Sequence, residues 1–422
     1  MLLTLALVPV FGMIGLVTDM GYMHFVMMTA QTAAEVAAQA AIIDMHATVG
    51  GAVLSCATVT CASTATACPT NITTPTNSIQ RGCMYAQHHG FTGVNQSVTY
   101  QAGVAGTPPT ATGIGPATYW VTYRAIQKVP TMFSAILGNT SSMVVARSSA
   151  AIIGSSDCIY ALSPIGTGFA ISGSASVTSA CGVYVDSTNS SALTTGGSSS
   201  LSAPDYDVAG NVSVHTPLSP NPNLGVAQMS DPLASLPVPA SAPYICGHIN
   251  YSAPNFSNPT LNPGVYCGGI NVGNNSYTLN PGTYILVGGG LSTQSTNSSM
   301  SGTGVMFYNT YNSTYSYAPI SLAANSTVSL KAPTSGTYAG ILIFEDRTAP
   351  ASSDTYGGGS TAVYEGTIYA KNAAITMSGN SGIAAYTLLV AATISMVGNT
   401  QFNNDYTTLP GGSPIQKIAM VE

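Results

Sequence analysis

The sequence predicts an α+β protein in three parts: a long N-terminal apolar, pilin-like helix, a small antiparallel sheet domain, and a C-terminal parallel β-helix, or β-solenoid. Three observations predict it. Residues 1–34 contain no Lys, Arg or Glu and a single acid, Asp19. Three segments between 97 and 153 alternate apolar and polar residues, as strands do. From about residue 155, short β-rich pieces alternate with Gly, Asn and Ser turns, and NPGVY at 262–266 returns as NPGTY at 280–284. The domains are accordingly drawn as 1–50, 51–154 and 155–422.

Residues 1–47 read as one helix. The first 28 residues span about 42 Å at ~1.5 Å per residue, and such an apolar rod is stable only in lipid or against other protein. The continuation TAQTAAEVAAQAAIIDMHA is rich in strong helix formers, and Gly50-Gly51 ends the run. Pro9 bends the helix locally, while Gly12, Gly15 and Gly21 let a neighbouring helix come close. The first half is expected to be buried all round and the second, amphipathic half to dock on a domain. Asp19 is costly in such a setting and needs a partner, expected to be an N-terminal amine within a bundle of these helices. The length also suits a bilayer, but the first Lys or Arg is Arg81, so no basic flank fixes an orientation.

Residues 52–96 read as irregular and turn-rich. Strands are expected at 97–103, 117–126 and 141–153, with a short helix at 129–138. A sheet packed on the long helix would bury Trp120, Tyr123, Phe133 and Ile136 as ordinary core.

Eight cysteines fall in local groups. Cys158 is expected to pair with Cys181, capping the solenoid, and Cys246 with Cys267. Two more disulfides lie among Cys56, Cys61, Cys68 and Cys83, where three connectivities are open. Disulfides on this scale belong to an oxidising compartment. Cys56-x4-Cys61-x6-Cys68 lacks the tight pairs of a zinc knuckle, so no metal is expected.

In the repetitive half, one or two short strands plus turns cannot bury a face alone and must stack. Coils of about 20 residues give a β-helix of roughly ten to twelve turns. A Greek-key sandwich would need fewer, longer strands.

LALVPVFGMIGLVTDMGYM followed by TAQTAAEVAAQAA resembles the N-terminal segment of the TadE/TadG-like, tight-adherence pilus-associated proteins. VPTMFSAILGNTSSMVVARSSA resembles their following region. The blocks CIYALSP, GSASVTSACGVYVDSTNSSAL, DPLASLPVP, LNPGVYCGGI, LNPGTYILVGGG, SGTGVMFYNT and SGTYAGILIFEDR are similar to the larger TadG-like proteins. The resemblance spans nearly the whole chain and is carried by the order of the blocks. It implies a surface or envelope protein of that system, or a relative that itself polymerises. A basic stretch before the apolar run and the usual pilin Glu near the start are both missing.

Composition narrows the function. Only 5% of the 422 residues are charged, against roughly a quarter in ordinary soluble domains. The net charge is −6 and the mean hydropathy +0.29. Eight Lys and Arg, never adjacent, exclude a nucleic-acid footprint. The uncharged surface is expected to be glycosylated or buried against copies of the chain. Asn-x-Ser/Thr occurs at Asn71, Asn95, Asn139, Asn189, Asn211, Asn250, Asn255, Asn274, Asn297, Asn312 and Asn325. That is nearly twice the roughly six expected by chance.

β-Helices also house carbohydrate-cleaving acids, so the carboxylates are the candidates for catalytic groups. Asp205 and Asp207 share a face if extended. Glu345, Asp346, Arg347, Asp354 and Glu365 are the other candidates, with Asp346 expected to bridge Arg347 or Lys331. Solvated or coil-bridging roles are expected for all of them, and no catalytic residue or cofactor is assigned. His88-His89 lacks a nearby acid and reads as a surface loop, and the Gly-rich stretches at 288–293 and 357–361 read as turns. The expected function is a structural subunit of an extracellular, cell-surface filament. It self-associates into a helical homopolymer through its apolar helix, is inserted in the membrane before assembly, and serves adhesion or surface contact. The alternatives are a membrane-anchored adhesin for surface glycans using Tyr308, Tyr311, Tyr315 and Tyr317, and, further off, a polysaccharide-degrading enzyme.

Overall fold

A computed structural model describes residues 2–49, 54–105, 117–133, 135, 138–239, 243–254, 257–294, 297–357, 362–378, 384–409 and 412–421, with side chains from residue 15 onward. The fold is the expected one: an N-terminal apolar helix, a small antiparallel sheet, and a large parallel sheet wound as a solenoid. The chain divides into two compact units, Met1–Gly154 with Gln416–Glu422, and Ser155–Ile415.

Helix α1 (Leu2–Val49) leads the first unit. Its second half buries Ala30, Ala33, Ala34, Ala37, Ala38, Ala41 and Ile42 completely. Their i, i+3, i+4, i+7 spacing makes one face, and alanine's small side chain lets the helix lie close to its neighbours. The sheet runs β1 (Ala62–Ala67), β2 (Gln96–Val104), β3 (Ala117–Pro130), β4 (Ser141–Gly154), and then Gln416–Val421 from the far end of the chain, all antiparallel. Helix α2 (Ser78–His88) starts at Asn77, whose side chain accepts from the Gln80 N–H at 2.8 Å and satisfies an otherwise open donor. Residue 82 must be glycine, because a Cβ there would stand 2.6 Å from the Ala37 carbonyl oxygen of α1. The buried Tyr123 hydroxyl donates to the Ile79 carbonyl at 2.7 Å, tying the sheet to α2. Among the first four cysteines the bonds join nearest neighbours, Cys56 with Cys61 and Cys68 with Cys83.

The helix expected at 129–138 does not form at its start. Val129 and Pro130 pair with Ser142 and Ser141 as the end of β3, so cross-strand pairing overrides the local preference. Residues 134, 136 and 137 lie outside the described residues, Ile136 among them. Tyr123 is buried as expected, but Trp120 is only half-buried and Phe133 is 40% exposed.

In the second unit three parallel ladders carry the coils. The longest passes through His248–Ser252, Gly264–Asn271, Gly282–Val287, Val305–Thr310, Ile341–Glu345, Val363–Met377 and Thr387–Met396. It continues through Asp157–Ala161, Gly182–Val185, Tyr206–Val208 and Asn223–Leu224, giving eleven rungs. The stack is therefore not in chain order. The chain enters at the eighth rung, winds to the end at Leu224, crosses over to restart at the opposite end at His248, and winds back until Leu389 pairs with Ile159. It leaves beside its point of entry, where the Ser155 N–H donates to the Ile415 carbonyl at 2.9 Å.

The NPGxY repeat shows why coils of this sequence stack. Thr260 and Leu261 pair with Thr278 and Leu279. Tyr266 and Tyr284 stack with centroids 6.0 Å apart, and each hydroxyl donates at 2.7 Å to the carbonyl four residues earlier, Asn262 or Asn280. Each repeat thus satisfies its own tyrosine and buries its ring on the next.

The Cys158–Cys181 bond forms, but not as a cap. It joins the eighth and ninth rungs, inside the stack, because that is where the chain enters. Cys246–Cys267 clamps the end rung to the next one. The crossover is pinned along the flank by the scarce charges. Arg347 donates to the carbonyls of Leu233 and Leu236 at 2.5 and 2.7 Å, and Asp231 receives the Tyr369 hydroxyl at 2.6 Å and faces Lys371 at 3.5 Å.

Candidate functional site

The first half of α1 carries the candidate assembly surface. Leu16, Val17, Met20, Tyr22, Phe25, Met27 and Met28 are all exposed, reaching 70% at Val17. Beyond Thr29 the exposed positions turn mainly polar, with Thr32 and Gln39 outward and Ile43 an exception. Among the described residues this is one helix long and apolar enough to cross a membrane. The turn after β3 adds Met132, 76% exposed, and Phe133 to the apolar surface beside it.

Asp19 explains how that turn is held. The carboxylate is only 5% exposed and accepts the backbone N–H groups of Met132 and Phe133, both at 3.0 Å. These donors come from 113 and 114 residues away, which sequence spacing had no means of showing. The chain thus supplies partners for the acid from its own backbone, where an N-terminal amine was expected.

The three glycines expected to serve assembly differ. At Gly15 a Cβ would fall 2.3 Å from the Phe133 ring, so this glycine seats the ring on the helix within one chain. Gly21 has nothing within 4 Å of an added Cβ and leaves an open notch on the surface. The surroundings of Gly12 lie outside the described residues.

The acidic candidates have internal partners. A single amide group, Asn223 Nδ2, donates to Asp205 at 3.1 Å and Asp207 at 2.9 Å, so the two acids do share a face and bridge to the next rung. Asp346 caps a turn, accepting the Thr348 N–H at 2.8 Å and the Thr310 and Thr348 hydroxyls at 2.7 Å. Burial opposes its charge, yet these hydrogen bonds hold its pKa below the ordinary value. The bridge expected from Asp346 to Arg347 or Lys331 is not made: Arg347 pins the crossover, and Lys331 pairs with Glu365 at 3.1 Å.

Glu345 and Asp354 are different. Both are buried, at 3% and 1% exposure. Burial, and next the negative charge of Asp354, push the Glu345 carboxyl well above its ordinary range, and burial raises Asp354 too. Asn309 Nδ2 donates to Glu345 at 3.1 Å, and Ser352 and Tyr356 donate to Asp354 at 3.3 Å. The two acids form a buried pair enclosed by its own polar neighbours, with the charged form of each disfavoured by burial.

The tyrosines do not form an open groove. Tyr308 is 1% exposed, and Tyr311 lies edge-on to Tyr317 at 6.1 Å while its hydroxyl donates to the Thr348 carbonyl at 3.0 Å. Burial, then the charge of Glu345, raises the Tyr317 pKa. His88 lies beside Tyr85, and no cluster of potential metal ligands occurs among the described residues. Of the sequon asparagines, Asn71, Asn95, Asn139, Asn189, Asn211, Asn250, Asn297, Asn312 and Asn325 are exposed and Asn274 is half-buried, while Asn255 lies outside the described residues. No family model, curated protein or solved structure matches this chain.

Proposed function

We propose that the chain is a structural subunit of an extracellular, pilus-like surface filament, polymerised through α1, with the solenoid as its presented body. The observation that carries this reading is the apolar band at residues 16–28, largely uncovered within the chain on a helix whose other half docks through a buried alanine face. At ~25 cal/mol per Å², covering several such side chains on each copy is worth enough to drive association. The second copy is favoured over lipid as the resting partner because the open notch at Gly21 admits a close helix and Asp19 is already satisfied. The block-by-block resemblance to TadE/TadG-like proteins supports the same reading, with membrane residence before assembly. The acids weighed as catalytic are held by hydrogen bonds or ion pairs within the solenoid, which supports a scaffold over an enzyme.

Electron microscopy of the native material tests this. Filaments in which residues 16–28 of one copy touch other copies are expected, and removing residues 1–28 should release a soluble monomer. A helix found alone in a detergent micelle or bilayer, with no neighbouring copy against it, would replace the filament by a membrane-anchored protein.

A further inference from the structure

The outward side of the antiparallel sheet carries a cluster of cations. Arg124 and Lys128 lie four residues apart in β3, so their side chains leave the same face, and Arg147 of β4 is the direct cross-strand partner of Arg124. The alternate residues Tyr123, Ala125 and Val129 point the other way, into the core shared with α1. Lys128 and Arg147 are exposed and Arg124 is half-buried. Strands β2, β3 and β4 contain no Asp or Glu. Elsewhere in the chain Arg81, Lys331 and Lys371 face acids and Arg347 pins the crossover. Arg124, Lys128 and Arg147 make no ion pair among the described residues. Like charges directly opposite each other on a sheet are destabilising. Arg124 Nε is also buried with no hydrogen-bond partner among the described residues. The face is short of an anion.

The height of the cluster along α1 identifies that anion. Asp19 receives the N–H groups of Met132 and Phe133, while the Tyr123 hydroxyl and the Ala37 carbonyl both border Gly82, so β3 and α1 run side by side in opposite directions. From Met132 back to Lys128 is ~13 Å of strand, or about nine residues of helix. Lys128 is therefore roughly level with Met28, where the exposed side chains of α1 change from apolar to polar. The Arg124–Arg147 pair lies ~13 Å further from the apolar band. We propose that this face binds the anionic headgroups of phospholipids while α1 spans the bilayer before assembly. The inference rests on the membrane stage of the proposed function. The headgroup layer is ~6 Å deep, which leaves the arginines within about one Debye length, ~8 Å, of its surface. An anionic leaflet attracts Lys and Arg held at that distance, and their long stems let the charges reach back to the phosphates. The orientation that no basic flank fixes in the sequence is thus fixed by β3 and β4 in the fold.

The test uses the full chain reconstituted from mild detergent into vesicles of phosphatidylcholine mixed with phosphatidylglycerol. Spin-labelled forms of the two lipids report which one the protein holds, and hydrogen exchange over residues 16–28 reports insertion in the same sample. Each cation near an anionic surface is worth about fivefold, so phosphatidylglycerol should be preferred by at least that factor. The preference should fall toward parity in ~1 M salt, where charges are screened beyond ~3 Å. Arg124→Gln/Lys128→Gln/Arg147→Gln should remove it with insertion unchanged. Lys128→Glu/Arg147→Glu, confined to exposed positions, should do the same if the triple variant folds poorly. Lys417→Gln, at the far end of the sheet opposite Ile153, should change neither reading. Equal affinity of the native chain for the two lipids, or a preference that survives both variants, overturns the headgroup assignment and leaves the membrane stage standing. Absence of insertion overturns the membrane stage and the assignment with it. Retention on alginate that the variants lose, without any lipid preference, would replace the headgroups by an acidic polysaccharide.

Discussion

Leu389 lies in parallel register with Ile159, so the last long coil of the solenoid is hydrogen-bonded to its first. Val390, its neighbour, pairs with Tyr160 and has no exposed surface. Val390→Pro should therefore destabilise the second unit by about 3 kcal/mol or more, because a central strand loses a ladder donor and gains a clash. Ile249→Pro, on the exposed end rung, should cost far less. Denaturant melts of the two variants distinguish this stack from one built in chain order, which would not make residue 390 central.

Asp19→Ala should destabilise the first unit by roughly 2–4 kcal/mol, the range for losing hydrogen bonds to a charged group and leaving two donors open. Phe133 should become more exposed as its turn detaches. Detergent-phase denaturation with hydrogen exchange at residues 131–133 reads both effects, and unchanged protection there would refute the clamp.

The second unit is inserted between adjacent strands of the first, since Gly154 and Gln416 are direct partners across β4 and the last strand. Joining residue 154 to 416 through a two-residue Asn-Gly turn should leave a folded first unit with both of its disulfides. Circular dichroism of the shortened chain, showing cooperative melting, is the measurement; a molten product would mean the solenoid is needed to hold the sheet.

The enclosed acid pair gives the second unit a pH dependence of definite sign. Glu345 is raised from its ordinary 4.5, so its contribution to stability is complete below that value and is lost as pH rises through the folded-state value. Melting should be higher at pH 5 than at pH 8, and Glu345→Gln should raise it at pH 8 and flatten the slope, by about 2–4 °C per kcal/mol. A native profile that instead rises from pH 5 to 8 would show an ionised pair.

Reduction should act unevenly. Cys246–Cys267 holds an end rung that pairs on one edge only among the described residues, whereas the rungs joined by Cys158–Cys181 are held on both sides. A disulfide is worth a few kcal/mol, ~2–4. Hydrogen exchange after mild reduction should rise first over residues 244–252 and last over 157–161.

Much of this was legible in the sequence because it depends on local pattern. The apolar run with its single acid specified α1, alternation of apolar and polar residues specified β2 to β4, and NPGxY specified stacking coils. What escaped it were long-range choices. Parallel rungs with the same inward alternation are physically interchangeable, so nothing in the residues of 387–396 says that their neighbour is 157–161 and not another coil. Asp19 advertised a need for donors without naming backbone groups beyond residue 130. Tyr308 looked available for stacking on sugars until its strand, buried at every position, placed it inside.

Entry and exit at one waist of the stack set how the solenoid bears force. A pull on its body reaches the rest of the chain through two strands side by side, loaded together, and the terminal coils lie off that path. An end rung can fray while the pairing between Ile159 and Leu389 stays shut.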